Sequence, residues 1–266
     1  MEWNLSSERK LRPSVEAEQS QPAPWDRGEF ERQLRALRVR YHSFHPYHVM
    51  LNEGRLTPAQ LRGWVANRFY YQVNLPVKDA AIAANCPEAV IRRRLVQRMV
   101  NQDGAAEGTG GVEAWLKLGA ACGLSREEMT SMVHVLPGVR FAVDAYVNFA
   151  RRAPWQEAIC ASLSELFASD LHQQRIANWP RLYPWIRSEA LEYFRERLQQ
   201  GPSDVSHALE VALDYFTTRQ AQERALGILA FKLDVLWAMA DAMYLAYVVN
   251  MPPYAVVQTK EGQSAN

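Results

Sequence analysis

The segment from Ala225 to Val249 is the most apolar in the chain, and its charged residues are Lys232, Asp234 and Asp241. It is long enough to cross a bilayer, yet each of those charges near its centre would cost about 2.5–3.5 kcal/mol on an insertion scale, which favours a helix buried in protein. With a rotation of about 100° per residue, Lys232 lines up with Leu236, Met239 and Met243, so its ammonium projects from the middle of an apolar stripe. A charge so placed is tolerated when it is paired or when it serves a ligand. The chain is therefore expected to fold a helical core around a polar spot.

The remaining sequence agrees with an all-α protein. Strict apolar alternation and hairpin dipeptides are scarce, whereas the roughly 3.6-residue period recurs throughout. Capping boxes at Thr57–Gln60 and Ser125–Glu128 mark helix starts, as do Pro87, Pro137 and Pro154; Gly104, Gly123 and Gly201 fit stops. Helices are expected over 28–41, 58–83 with a kink at Pro76, 88–102, 111–122, 125–132, 138–152, 154–176, 184–200, 203–219 and 221–249. The apolar content of 48% in 266 residues supplies one large core. A single domain over 26–254 is expected, flanked by a polar, Pro- and Ser-containing extension at 1–25 and a polar tail at 255–266.

Lys and Arg number 30 against 29 Asp and Glu, a balance that disfavours a nucleic-acid binder and points to a small-molecule partner. Cys86, Cys122 and Cys160 are odd in number and widely spaced, which suits a reducing cytoplasm and neither a disulfide framework nor a metal knuckle. His42, His45 and His48 are evenly spaced, but Pro46 is expected to interrupt a helix there, so a zinc site is disfavoured. No histidine has Glu three positions before it, as a di-iron bundle would need. Dinucleotide, phosphate-loop and serine-elbow motifs are absent from the sequence.

Several polar residues sit where a helical wheel puts apolar neighbours. Arg68 and Gln72 interrupt the stripe of Leu61, Trp64, Val65 and Leu75, compatible with a core Arg met by a carboxylate or with a pocket. Between Trp155 and Arg175, Glu165 and His172 share a face with Ala158, Ala161 and Ala168; this is either a close helix contact or room for a guest. Tyr193 and Arg197 lie opposite Leu191, Phe194 and Leu198, and by spacing alone form a solvated face. Asp204, His207 and Glu210 read as an exposed face, and Asp234 and Asp241 as partners for buried Arg or for helix ends.

The strings YHSFHPYH, GWVANRFYYQ, LPVKDAAIAANCP, HVLPGVRFAVDAYVNFARRAPWQEA and FKLDVLWAMADAM, in that order, resemble the pyrroloquinoline-quinone synthase family from about Gln33 to Tyr254. The resemblance implies a compact helical fold of the haem-oxygenase-like type without haem, a homodimer, and no metal or organic redox cofactor. It also implies the last step of pyrroloquinoline quinone synthesis, with dioxygen as co-substrate. That step is a ring closure and eight-electron oxidation of a tricarboxylated bicyclic precursor, releasing hydrogen peroxide.

By the same resemblance Tyr41, His42, Arg68, Gln72, Lys78, Arg98, Gln102, Tyr146, Glu165, His172, Arg175, Tyr193, Arg197 and Lys232 fall at pocket positions. Arg68, Lys78, Arg98, Arg175 and Lys232 are expected to grip carboxylates and quinone oxygens. Glu165 and His172 are expected to remove protons, and His172, Tyr193 and Arg197 to hold dioxygen or peroxide. Tyr41, His42, Gln72 and Tyr146 complete the substrate-binding set.

One departure stands out: where the family carries His-Asp-Gly, this chain has Gln102-Asp103-Gly104. An amide cannot shuttle a proton near neutral pH, which raises the alternative of a stalled enzyme. A thiaminase-like hydrolase of the same fold, with Cys160 as nucleophile, is the other alternative; the crowd of Arg and Lys opposes its cationic substrate.

Overall fold

A computed structural model of the chain describes residues 22–251, and these residues are helical with no strand. The helices are α1 (Arg27–Ala36), α2 (Pro46–Asn52), α3 (Pro58–Asn85), α4 (Ala89–Asp103), α5 (Gly110–Ala121), α6 (Arg126–Thr130), α7 (Pro137–Arg152), α8 (Trp155–Cys160), α9 (Ser169–Leu182), α10 (Glu192–Tyr215) and α11 (Arg219–Tyr247). Tight 3-10 turns occupy Leu37–Arg40, His42–Phe44, Ala161–Phe167 and Ser188–Leu191. Helix α3 is central, packing on α4, α5, α7 and α11, and both expected capping boxes form, at Thr57 and Ser125. Residues 1–21 of the expected extension, and the expected tail, lie outside the described residues. Trp25 is already held, its N–H donating to Gln222 Oε1 at 2.8 Å and its carbonyl accepting from Gln222 Nε2 at 2.9 Å.

Three expectations about helix ends need correction. Pro46 begins α2 instead of interrupting a helix, because a first-turn proline lacks only an N–H that would be unbonded anyway, and the His45 side chain caps the turn by accepting from Tyr47 N–H. The span 154–176 is not one helix: it is broken into α8, the 3-10 turn and α9, so its face was misphased by a straight wheel. Conversely, α10 runs through Gly201 and Pro202, where a stop was expected. Ala208, Leu209, Ala212 and Leu213 are buried beyond the break, and this tertiary burial overrides the local breakers.

An aromatic cluster fixes the helices that frame the site. Trp64 of α3 meets Trp115 of α5 at 5.2 Å and Trp179 of α9 at 5.9 Å between centroids, while Trp115 meets Tyr193 of α10 at 4.8 Å. At the end of α4, Gly104 and Gly110 adopt φ of 91° and 89°, and the two backbones approach so closely that a Cβ on either would clash. That contact holds the C-terminal end of α4 against the start of α5.

Candidate active site

The aromatic cluster borders a cavity of about 50 Å³ walled by α3, α9, α10, α11 and the two 3-10 turns that begin at His42 and Ala161. Tyr41, His42, Arg68, Glu165, His172, Arg175, Tyr193 and Arg197 line it, together with Tyr71 and Ser164. The expected face of Glu165, Ala168 and His172 does come together here, through the 3-10 turn and not through a continuous helix. Tyr193 is buried and the Arg197 side chain only 11% exposed, so the solvated face that their spacing suggested is corrected. Asp204 is likewise drawn inward, its side chain 14% exposed.

Two kinds of cation surround the cavity. The first kind is compensated. Glu165 accepts from Arg98 Nη2 at 3.0 Å with one oxygen and from Arg197 Nη2 at 2.9 Å with the other. Arg98 also reaches Asp204 at 2.7 Å through Nη1 and Asp79 at 3.3 Å through Nε, and Lys78 pairs with Asp79 while donating to Ser162 Oγ at 3.2 Å. Tyr146 shares that Ser162 hydroxyl at 3.2 Å. Burial raises the Glu165 carboxyl, but Arg98 and Arg197 outweigh it and hold the group well below the usual range, so it is ionised.

The second kind has no carboxylate partner among the described residues. Lys232, 0% exposed, donates to Tyr71 Oη at 2.9 Å, and its Nζ lies over the Tyr71 and Tyr146 rings at 4.3 and 4.0 Å. Arg68 lies 4.1 Å above the Tyr71 ring. Arg175 sits over Trp64 at 4.9 Å, with Nη2 3.4 Å from His48 Nδ1 and its Nε left without a partner. Aromatic faces attract cations but supply no opposite charge. Burial therefore dominates: it pushes Lys232 well below its ordinary value, with Arg68 and Lys78 adding to the effect, and pushes Arg175 down to about 9.

The same conditions keep the imidazoles neutral. Burial first, then Arg175, Arg197 and Arg68, push His172 down to about 3; burial and the neighbouring His48 push His42 well below its ordinary value. His172 Nδ1 and His42 Nδ1 are buried without hydrogen-bond partners. The Tyr193 hydroxyl donates to Gln72 Oε1 at 3.0 Å, leaving Gln72 Nε2 unpartnered. Gln72, Lys78, Arg98, Tyr146 and Lys232 thus stand behind the lining residues and not on the cavity surface. Gln102 lies in the last turn of α4, one turn after Arg98, 5% exposed, and packs against Gly111 with its Oε1 unpartnered.

Other sequence expectations resolve differently. Asp234 and Asp241 are surface partners of Arg40 at 2.8 Å and His45 at 3.0 Å. Cys160 is fully buried away from the cavity lining, its thiol pushed up by burial and its Sγ 3.8 Å from the Ala225 carbonyl, an environment that suppresses the thiolate. Asp79, Ser162 and Tyr71 were not singled out, Asp204 was read as exposed, and His48 was considered only as a metal ligand. Asp79 is adjacent to Lys78, and Asp204 lies two helical turns after Arg197, a signal hidden by ending the helix at Gly201. Among the described residues no group of His, Cys, Asp and Glu is placed to hold a metal ion, and no helix is long and apolar enough to cross a membrane.

Comparison with known proteins yields concordant matches. The TENA/THI-4/PQQC family profile matches residues 31–242. A pyrroloquinoline-quinone synthase of Pseudomonas aeruginosa (strain LESB58) is 59% identical over 235 residues, covering 88% of this chain and 94% of the relative. One from Pseudomonas putida (strain W619) is 58% identical over 238 residues, covering 90% and 95%. The crystal structure of a TenA homologue from Pseudomonas syringae superposes with a TM-score of 0.68 at 12% identity, over 83% of this chain and 93% of the other. A domain of unknown function with a haem-oxygenase-like fold from Shewanella denitrificans gives 0.64 at 11%, over 85% and 95%. The fold expected from the sequence is thereby shown.

Proposed function

Because this chain belongs to the TENA/THI-4/PQQC family, we propose that it is a pyrroloquinoline-quinone synthase, closing a ring and removing eight electrons from a tricarboxylated bicyclic precursor. Dioxygen is the electron acceptor and hydrogen peroxide is released. The carrying observation is the trio Arg68, Arg175 and Lys232, buried or half-buried cations around one cavity with no carboxylate partner among the described residues. A buried charge without a counter-ion is costly, and a trianionic guest supplies what is missing.

The remaining groups suit the chemistry of such a guest. Ionised Glu165 and neutral His172 are the proton acceptors as the precursor cyclises, Glu165 the weaker base for being clamped by two guanidiniums. Neutral His172 faces Tyr193 at 6.3 Å between ring centroids, and with Arg197 these donors hold dioxygen or peroxide beside the substrate ring. A space of about 50 Å³ holds a water or two, so admission of the precursor requires the walls to part. The reaction is proposed to need no metal or organic cofactor, and the enzyme to act as a cytoplasmic homodimer. The family resemblance supports these points, and the buried free thiols of Cys86, Cys122 and Cys160 suit a reducing compartment.

Chelator-treated protein mixed aerobically with the precursor tests the assignment. Appearance of the quinone spectrum together with peroxide is expected; the absence of both oxygen consumption and quinone would sink it.

A further inference from the structure

Arg98 and Arg197 lie beside the same cavity as Arg68, Arg175 and Lys232, and five competing cations would not define where a polyanion sits. Carboxylates remove that ambiguity. Lys78, Arg98 and Arg197 are matched by Asp79, Glu165 and Asp204, which leaves the other trio uncompensated. Within this set Asp204 is the one carboxylate that touches both arginines without lining the cavity: its Oδ2 is 2.7 Å from Arg98 Nη1 and 3.5 Å from Arg197 Nη1. It reaches them because α10 continues through Gly201-Pro202 and carries it two turns beyond Arg197.

We infer that Asp204 is a positioning residue that sets the register of the bound polyanion by completing, with Glu165, the neutralisation of Arg98 and Arg197, so that the substrate carboxylates go to Arg68, Arg175 and Lys232. This rests on the reading of the site given under Proposed function. Asp204 acts through the two arginines and touches no reacting atom. Its occupation of Arg98 Nη1, with Asp79 on Nε, also leaves Nη2 for Glu165 and thereby aims that carboxylate. A neutral residue at 204 gives the Glu165 corner a net positive charge. The polyanion is then held more tightly, in a place where Glu165 and His172 no longer meet the reacting positions.

The test is a comparison of the full-length protein with Asp204→Asn, which keeps an acceptor oxygen, and Asp204→Glu, which keeps the charge. Spectral titration with pyrroloquinoline quinone gives affinity, and steady-state oxidation of the precursor gives kcat and KM. Asp204→Asn is expected to bind the quinone roughly fivefold more tightly and to turn over roughly tenfold more slowly. Asp204→Glu is expected to return both values toward those of the unaltered protein. An ion pair that serves stability alone would instead lower the melting temperature and leave affinity per folded molecule unchanged. That result, or a failure of Glu to restore, overturns the role of Asp204. If Asn does not fold, Asp204→Ser must produce the same opposed shifts in affinity and rate. Unaltered protein that binds no quinone defeats the functional reading itself; binding that is indifferent to residue 204 defeats the positioning role alone.

Discussion

Lys78 and Lys232 are both buried lysines near the cavity, one on the α3 wall facing the 3-10 turn at Ala161–Phe167, the other on α11 behind Tyr71. Lys78 has a carboxylate, Asp79, and a hydroxyl; Lys232 has a phenol and two ring faces. The first arrangement satisfies itself. The second is complete when an anion arrives from outside, so a ligand site is marked by uncompensated charge more than by volume. The groove between Phe149, Tyr215 and Phe231 shows the converse: it opens about 950 Å³, but its Arg224 is already matched by Glu157 at 2.5 Å.

Replacing each lysine by methionine breaks this comparison most sharply. Lys232→Met removes a buried charge that has no partner charge, and the empty protein is expected to gain about 1–4 kcal/mol of stability. Affinity for the quinone is expected to fall roughly 10²–10³-fold, as for loss of one partner of a buried charge pair. Lys78→Met strips Asp79 of its nearest counter-ion and is expected to cost about 3 kcal/mol, the low end for a broken buried pair because Arg98 remains at 3.3 Å. Its affinity loss is expected to stay below roughly tenfold. Chemical denaturation and quinone titration of both variants decide it; equal stability losses would mean that Lys232 has a counter-ion after all.

Titration gives a second, smaller contrast. Lys232 in the folded protein lies well below its ordinary 10.5, so between its folded value and 10.5 the unfolded chain binds more protons. In that window the Lys232 contribution to stability rises with pH and is lost as pH falls. An entering polyanion reverses the preference by favouring protonated Lys232 and Arg175, so affinity is expected to fall as pH rises through the same window. Binding is accordingly expected to take up protons in mildly alkaline solution. Calorimetry in two buffers of different ionisation heat measures this directly, and proton release would contradict it.

The sequence made the all-α class legible through its helical period, and it exposed Lys232 and Arg68 as polar groups inside apolar stripes. Those signals are local, and each survives in the fold. Tyr193, Arg197 and Asp204 were not legible, because burial of one face of α10 depends on α8, α9 and the 3-10 turn at Ala161–Phe167, which no single helical wheel contains. Gly201-Pro202 compounded the error by imitating a helix end. Compensation was equally hidden: that Arg98 is matched and Arg175 is not follows from helices far apart in the chain. The resemblance to a known family supplied the site residues that spacing alone left ambiguous.

Gln102 offers the smallest expected effect and the narrowest test of where the site ends. It stands where the family has histidine, yet it is not on the cavity surface: it follows Arg98 by one turn and faces Gly111, whose missing Cβ would lie 2.6 Å from its Oε1. The bare backbone of Gly111 leaves room there for a flat ring as well as for an amide. If the cavity drawn by Glu165, His172, Tyr193 and Arg197 contains the proton transfers, Gln102→His changes the rate of quinone formation by less than roughly tenfold, against the 10²–10⁴ that a general acid or base contributes. A different result carries equal information. Unaltered protein that accumulates a partly oxidised bound species, released to quinone in the histidine variant, would place residue 102 against the substrate during turnover. The parting of the walls that admits the precursor would then have to carry the end of α4 with it.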